Sequence, residues 1–341
     1  MNWSLSTSVP QHRTEEFAAL CASLGFIIPG SSNGEHPNIQ IMHTGSWVYL
    51  YGARNTGKST TIAAVRAASE RCVHHLHWSY VNCRALLTGE RLMAEIAQGC
   101  YASAAGRFGI PVGALPMRWN LPLFVHFVAD LLTLLNEKGA TLILHLEGVE
   151  WLRHFEGSGR ILAALQRLPF FANQVGGAEH FSLRMPLQVL LEARVPPENL
   201  FDPVERSCSP DFVLFFPPYD RAALRNLLLA RRCQTQSSPS PGIGTLEAGY
   251  PSVPDSCTEA FVSTLLDVLH DLTNDFAELC FWSDVLFPFY ARGWRALSRT
   301  HGLYCFRIHC VSSLFQGGYQ TNLHSFQYFT ERIKRAAERT S

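Results

Sequence analysis

The chain has 341 residues, which is enough for one large or two modest domains. Hydrophobic residues make up 47% of it and charged residues 16%, so a sizeable core is available and extensive disorder is excluded. The 28 basic side chains balance 28 acidic ones, which argues against a protein that coats nucleic acid by bulk charge but leaves a local basic face open.

The cysteines and the apolar runs indicate the compartment. The ten cysteines include no CxxC pair, a pattern typical of reduced thiols in a cytosolic or nuclear protein. Residues 1–4 lack the basic flank and the apolar block of a secretory signal. The most apolar helix-length run, 121–135, contains His126 and Asp130 and is too short to span a bilayer. We therefore expect a soluble protein without a membrane partner.

The first elements lead into a glycine-rich loop. Residues 12–25 predict a short amphipathic helix, and a polar loop at 30–37 separates it from an apolar strand at 47–51. The loop that follows opens a helix, and its candidate ligand-binding residues are Gly52, Ala53, Arg54, Asn55, Thr56, Gly57, Lys58, Ser59 and Thr60.

This loop fits the phosphate-loop pattern of two glycines, a lysine and a hydroxyl at fixed offsets, between a strand and a helix. The glycines let backbone N–H groups turn inward around phosphates, and the helix N-terminus favours anions. Lys58 is expected to reach the β- and γ-phosphates, and the Ser59 hydroxyl to ligate Mg²⁺. The sequence therefore predicts a nucleoside triphosphate site; these residues alone do not separate ATP from GTP.

The remaining elements of the first domain alternate between strand and helix. Further apolar runs predict strands at 77–83, 141–146, 187–191 and 212–216. Helices are predicted at 88–97, 120–138 and 160–168, with Pro169 ending the last, and residues 98–119 indicate a loop rich in Gly, Ala and Pro. Five apolar strands alternating with helices favour an α/β domain over residues 1–217, with a parallel sheet covered on both faces.

Residues 218–341 predict a second, helical unit. Asp220 is placed to cap a helix, the Ser/Pro/Gly-rich segment 233–257 indicates a mobile loop, and helices are expected at 258–272 and 274–294. The tail ends in a basic amphipathic segment, for which a solvated helix face is favoured over phosphate contacts. A cluster of metal-ligand residue types matches no common zinc spacing, so core packing is favoured for His301, Cys305, His309 and Cys310.

Glu147 is the candidate acid of the metal site. It follows six mostly apolar residues of a predicted strand, where it is expected to hold the Mg²⁺ shell through water, although a strand-end acid facing solvent is the alternative. Glu150 is a weaker candidate. ATPases of this type usually carry a water-activating Glu directly after the metal-binding acid, and here that position is Gly148. Because a missing general base costs about 10²–10⁴ in rate, we expect poor hydrolysis or none.

These residues together resemble a known family. The ordered motifs YGARNTGKS at 51–59, VNC at 81–83, LEGVEWL at 146–152 and FFPPY at 215–219 are similar to those of the origin recognition complex subunit 5 family. Residues 275–290 resemble that family's lid helix, and the likeness covers roughly residues 10–295.

The resemblance implies an AAA+ ATPase core with a five-stranded parallel sheet in the order 5-1-4-3-2 and a helical lid. Members of the family bind ATP between neighbouring subunits of a nuclear ring that encircles DNA and helps to load the replicative helicase. The implied partners are the other origin recognition complex subunits and, through the complex, DNA. Arg13 would border the adenine and Tyr219 would line the base pocket, with a solvated helix-start charge as the alternative for Arg13.

The chain departs from the family at several points. The residue that senses the γ-phosphate falls near Glu192 or Ala193, and the lid arginine is replaced by Cys280. Both changes agree with Gly148 and predict a site that binds ATP with little hydrolysis. The residues after 295 look too few for the family's winged-helix domain. The alternatives are an active AAA+ ATPase of DNA replication or repair that uses Glu150, and a signalling NTPase, which is disfavoured because no receptor or repeat module accompanies the core.

Overall fold

The structure is a computed structural model, and it describes residues 10–25, 47–72, 76–108, 115–155, 158–175, 186–200, 210–237 and 255–298. The chain divides into two compact units, Met1–Pro218 and Tyr219–Ser341. The division falls one residue from the expected boundary, while the functional assignment of each unit stays a prediction.

A single parallel sheet forms the centre of the first unit. Its strands are β1 (Trp47–Tyr51), β2 (Leu76–Asn82), β3 (Thr141–Glu147), β4 (Leu187–Ala193) and β5 (Phe212–Phe215). They lie in the order β2-β3-β4-β1-β5, and every neighbouring pair is parallel. Counted from β5, this is the order 5-1-4-3-2 that the resemblance implies, so the predicted five-stranded parallel sheet is confirmed.

Helices cover both faces of the sheet, because its central strands are apolar on both sides. The helices of this unit are α1 (Thr14–Ser23), α2 (Lys58–Cys72), α3 (Gly89–Phe108), α4 (Leu121–Glu137) and α5 (Ser158–Val175). Helices α1 and α2 pack on the face that carries Val48, Leu50 and Leu190. Helices α3, α4 and α5 pack on the opposite face, around Tyr49 and Leu144.

Helix α3 is longer than the sequence indicates: the prediction of a loop from residue 98 is wrong, since the helix continues to Phe108. Its small residues allow a close approach to the sheet. A Cβ atom at Gly99 would lie 2.6 Å from the Ser79 hydroxyl oxygen, and the Ser103 hydroxyl donates to the carbonyl oxygen of Trp78 at 2.8 Å. The composition that suggested a loop therefore serves helix–sheet packing.

Helix α5 also passes its predicted end, because it continues through Pro169 to Val175. A proline cannot donate one of the backbone hydrogen bonds of the helix, but the hydrogen bonds of neighbouring residues can continue the helix past it. The prediction that Pro169 ends the helix is therefore wrong.

The second unit consists of α6 (Arg221–Ser237), α7 (Asp255–Leu269) and α8 (Phe276–Ser298) among its described residues. Asp220 caps α6, accepting a hydrogen bond from the backbone N–H of Ala223 at 2.6 Å. The predicted loop 233–257 is helical at both ends, and 238–254 lie outside the described residues. The core of the unit contains Leu224, Leu228, Phe261, Leu265, Leu279 and Phe287.

The cluster of His301, Cys305, His309 and Cys310 and the basic tail segment lie outside the described residues. Within the described part of the chain, none of the helices combines the length and the apolar character needed to cross a membrane. Among the described cysteines, Cys21, Cys83, Cys100 and Cys280 form no disulfide.

The centre of the sheet supplies a test of the fold. Leu190 on β4 has no exposed surface, so Leu190→Ala is expected to lower the free energy of unfolding by about 2–5 kcal/mol through lost burial and the cavity left behind. Urea unfolding followed by circular dichroism measures this. The same change at Leu87, which is 84% exposed, is the matched control and is expected to stay within about 0.5 kcal/mol. Equal effects of the two changes would contradict the assigned core.

Candidate nucleotide-binding site

The loop between β1 and α2 has the backbone geometry of an anion cradle. Asn55 and Gly57 have positive φ angles of 56° and 87°, so the chain reverses within a few residues before α2 begins at Lys58. Gly52 lies where no side chain fits, because a Cβ atom there would be 2.4 Å from the carbonyl oxygen of Phe216. Such turns bring successive backbone N–H groups to one concave side, next to a helix N-terminus.

Lys58 is the first residue of α2, and it is almost fully buried against the loop. Its ammonium group donates to the carbonyl oxygens of Gly52 at 2.9 Å and Ala53 at 2.8 Å. Burial lowers the pKa of Lys58, and the negative charge of Glu192 opposes this. The loop therefore holds a cation among its own backbone groups.

The other loop residues divide into buried supports and exposed positions. Thr56 is buried, and its hydroxyl donates to the carbonyl oxygen of Ala53 at 3.1 Å. The exposed residues of the loop are Ala53, Arg54, Asn55, Ser59 and Thr60. The structure thus brings the predicted phosphate-binding residues together in one loop, with the Ser59 hydroxyl on its accessible side.

Arg13 connects the N-terminal segment to the loop. Its guanidinium group donates to the carbonyl oxygens of Thr56 at 2.9 Å and Pro217 at 2.5 Å, and it pairs with Glu16 at 2.6 Å. The residue is only 3% exposed, so the alternative of a solvated helix-start charge is wrong. Its predicted position next to an adenine stays a prediction.

Tyr219 is the first residue of the second unit, where its ring lies 6.4 Å from that of Phe276. Its role in a base pocket stays a prediction. Cys280, at the position expected for the lid arginine, is buried in the core of the same unit, and burial raises the pKa of its thiol.

Glu147 is the last residue of β3, and its carboxylate contacts side chains on β2 and on the turn that follows β2. Its Oε2 accepts a hydrogen bond from the Tyr80 hydroxyl at 2.5 Å, and its Oε1 lies 3.6 Å from a guanidinium nitrogen of Arg84. Burial, together with this carboxylate, raises the pKa of Tyr80. The acid that the sequence assigns to the metal therefore has two protein partners of its own.

Glu192, on β4, is the acid that contacts the loop. Its Oε1 accepts a hydrogen bond from the Ser59 hydroxyl at 2.8 Å, and its Oε2 lies 3.1 Å from Nε2 of His145. Burial raises the pKa of Glu192, but the hydrogen bonds from His145 and Ser59 and the charge of Lys58 outweigh it, so the pKa lies below its usual value. The signal for this residue was present in the sequence as a lone acid near the end of a mostly apolar strand.

Gly148 has a positive φ angle of 72°, which disfavours any side chain at this position. A Cβ atom there would lie 2.7 Å from Cγ and Nε of Arg84, so the arginine covers the position where the sequence predicts that a water-activating Glu is missing. Glu150 is held nearby: its carboxylate accepts from the backbone N–H of Arg194 at 3.3 Å and lies 3.6 Å from the Arg194 side chain.

The donor set fits a nucleotide-bound magnesium ion. Over the described residues, no group of three or more His, Cys, Asp or Glu side chains is placed to hold a metal by itself. Mg²⁺ is usually bound through one or two carboxylates together with phosphate oxygens and water. The Ser59 hydroxyl beside a carboxylate, at the start of α2, matches that mode of binding.

Comparison with known proteins shows the fold. No family model matches the sequence, and no curated protein matches it. A chain of Drosophila ORC bound to DNA matches with a TM-score of 0.60 and 18% identity, over 83% of this chain and 64% of that chain. Cdc6p from Pyrobaculum aerophilum matches with a TM-score of 0.53 and 17% identity, over 85% and 65%. This chain thus spans just under two thirds of each, and it shares their α/β fold with its P-loop core.

The buried contacts of Arg13 supply a test. Arg13→Met keeps the length of the side chain but leaves two carbonyl oxygens and Glu16 without their donor, so we expect a loss of about 3 kcal/mol in the free energy of unfolding of the first unit. Urea unfolding and the rate of proteolysis near the N-terminus measure it. Arg66→Met breaks an exposed pair with Glu70 and is expected to cost less than about 1 kcal/mol. A similar small loss at Arg13 would show that these contacts do not stabilise the segment.

Proposed function

We propose that this protein is an ATP-binding subunit of an origin recognition assembly, similar to subunit 5, that acts in the initiation of DNA replication. In this proposal it works in the nucleus with the other subunits of the complex, and it reaches DNA through that complex. The fold shared with ORC and Cdc6 initiator proteins and the ordered motifs of the sequence support the assignment. The observation that carries it is the phosphate loop at the end of β1, with its buried Lys58.

Each part of the loop has a task toward the nucleotide. The backbone N–H groups of residues 52–60 would surround the phosphates, Lys58 would neutralise their charge, and Ser59 would ligate Mg²⁺. Arg13 and Tyr219 would border the base. The metal ion supplies neutralisation of the phosphate oxygens when it is bound.

ATP would serve mainly as a structural ligand. The position of the water-activating base is Gly148, which Arg84 covers. A site without this base retains the triphosphate, and a ligand at a hundred times its Kd adds about 2.7 kcal/mol to the stability of the folded state. The bound nucleotide would thereby stabilise the subunit within its assembly.

The second candidate is an active AAA+ ATPase of DNA replication or repair. The observation in its favour is Glu150, an acid on the turn directly after β3 whose side chain is only 14% exposed. Its pairing with Arg194 would have to break before it could accept a proton from water.

Lys58→Ala tests the role of the nucleotide. Removing the ammonium group should abolish detectable ATP binding in a calorimetric titration and reduce recovery of the chain with its partner subunits from nuclear extracts at low salt. Lys138→Ala, at the exposed end of α4, removes the same charge elsewhere and should change neither result. Normal assembly by a Lys58→Ala chain that binds no ATP would contradict a structural role for the nucleotide.

Phosphate release distinguishes the two candidates. We expect the purified chain, alone or in its complex, to release phosphate from ATP under multiple-turnover conditions no faster than Lys58→Ala. The reason is the absence of a general base at Gly148, which costs about 10²–10⁴ in rate. Robust turnover that Lys58→Ala and Glu150→Gln both abolish would favour the active ATPase.

A further inference from the structure

The order of the strands places one acid nearer to the phosphate loop than the other. Strand β4 is hydrogen-bonded to β1, which leads into the loop, whereas β3 is one strand further away. In the sheet register Glu192 pairs with Leu50 on one side and with Glu147 on the other. Residues in register on parallel strands point to the same face, so both acids lie on the face that α2 covers.

Of these two acids, Glu192 is the one that contacts the Ser59 hydroxyl. Its carboxylate accepts a hydrogen bond from the Ser59 hydroxyl at 2.8 Å, while Glu147 is occupied by Tyr80 and Arg84 on the far side. We propose that Glu192, in place of Glu147, is the positioning carboxylate of the magnesium shell, acting by orienting Ser59. This inference rests on the proposed nucleotide site and identifies the residue that makes the site sensitive to magnesium.

The hydroxyl of Ser59 can contact Glu192 and a metal ion at the same time. When it donates a hydrogen bond to Glu192, the lone pairs of its oxygen remain available for a metal ion. A carboxylate that accepts a hydrogen bond from a ligand fixes the direction of that ligand and raises its basicity. The contact at 2.8 Å is therefore the support that a metal-binding hydroxyl needs.

The surroundings of Glu192 keep this support in one position. The residue is 3% exposed, and His145 holds its second oxygen at 3.1 Å. His145 is itself 7% exposed, and its ring lies 5.3 Å from that of Tyr80. The carboxylate therefore has a partner on each oxygen, which prevents its rotation away from Ser59.

Glu147 has a different task in this arrangement. Its contacts with Tyr80 and Arg84 fix the arginine over Gly148, where a Cβ atom would meet it at 2.7 Å. The acid on β3 thus holds the group that covers the place of the missing base, and the acid on β4 supports the metal-binding hydroxyl.

The test compares Glu192→Gln with Glu147→Gln, two changes of equal size and charge. The dissociation constant of ATP is measured by calorimetry for the full chain in excess Mg²⁺ and in EDTA, and the magnesium enhancement is the ratio of the two values. We expect Glu192→Gln to reduce this enhancement about tenfold or more, and Glu147→Gln to leave it within about threefold of the unaltered chain. Glu70→Gln, at an exposed ion pair on α2, is the control for the loss of one charge.

Three results would overturn the inference: a larger loss in Glu147→Gln, equal losses in both variants, or a Glu192→Gln variant that weakens ATP equally with and without Mg²⁺. The last result would make Glu192 only a counter-ion of Lys58. If the unaltered chain binds ATP without magnesium enhancement, the inference fails while the proposed function stands. If it binds no ATP at all, both fail.

A second pair of variants covers the case in which Glu192→Gln does not fold. Glu192→Asp keeps the charge but withdraws the carboxylate from Ser59 by one methylene, and Ser59→Ala removes the hydroxyl. Both variants are expected to lose the magnesium enhancement. The double variant should lose no more of it than Ser59→Ala alone, since the two changes act through one contact. Additive losses would show that Glu192 does not act through Ser59.

Discussion

The site depends on two opposite charges that are both buried beside the phosphate loop, the ammonium group of Lys58 and the carboxylate of Glu192. Each charge favours the charged form of the other: Glu192 opposes the burial that lowers the pKa of Lys58, and Lys58 helps to lower the pKa of Glu192. Burying a charge is costly unless hydrogen bonds replace its water. The loop carbonyl oxygens supply them for Lys58, and Ser59 and His145 supply them for Glu192. The conformation of the loop and the end of β4 are therefore energetically coupled.

The groups suited to binding phosphates and the groups expected to activate water lie at the same edge of the sheet but follow different strands. The groups suited to phosphates lie on the loop after β1, and the groups that would activate water belong after β3. There Gly148 carries no side chain, Arg84 lies over it, and Glu150 is paired with Arg194. This arrangement agrees with the proposal that the nucleotide serves mainly as a structural ligand.

How far the sequence predicts the fold differs between elements. The five strands and their parallel order were predicted because apolar runs between turn residues are local signals, and the order followed from the resemblance. The end of α3 was not predicted, since Gly99 normally indicates a loop and only its close approach to Ser79 on the sheet shows why the helix continues. The end of α5 was not predicted either, because Pro169 normally ends a helix. The predicted loop 233–257 was too long at both ends, because α6 continues to Ser237 and α7 begins at Asp255.

The sequence by itself determined that a strand, a glycine turn and a helix follow one another around Lys58, and that Gly148 lacks a general base. These are properties of neighbouring residues, which local chemistry decides.

Only the tertiary structure decided which acid contacts Ser59, and that Arg13 is buried against the loop. Residues 59 and 192 become neighbours because β4 lies beside β1 in the sheet. They are far apart in the chain, so no local sequence pattern predicts the distance between their side chains.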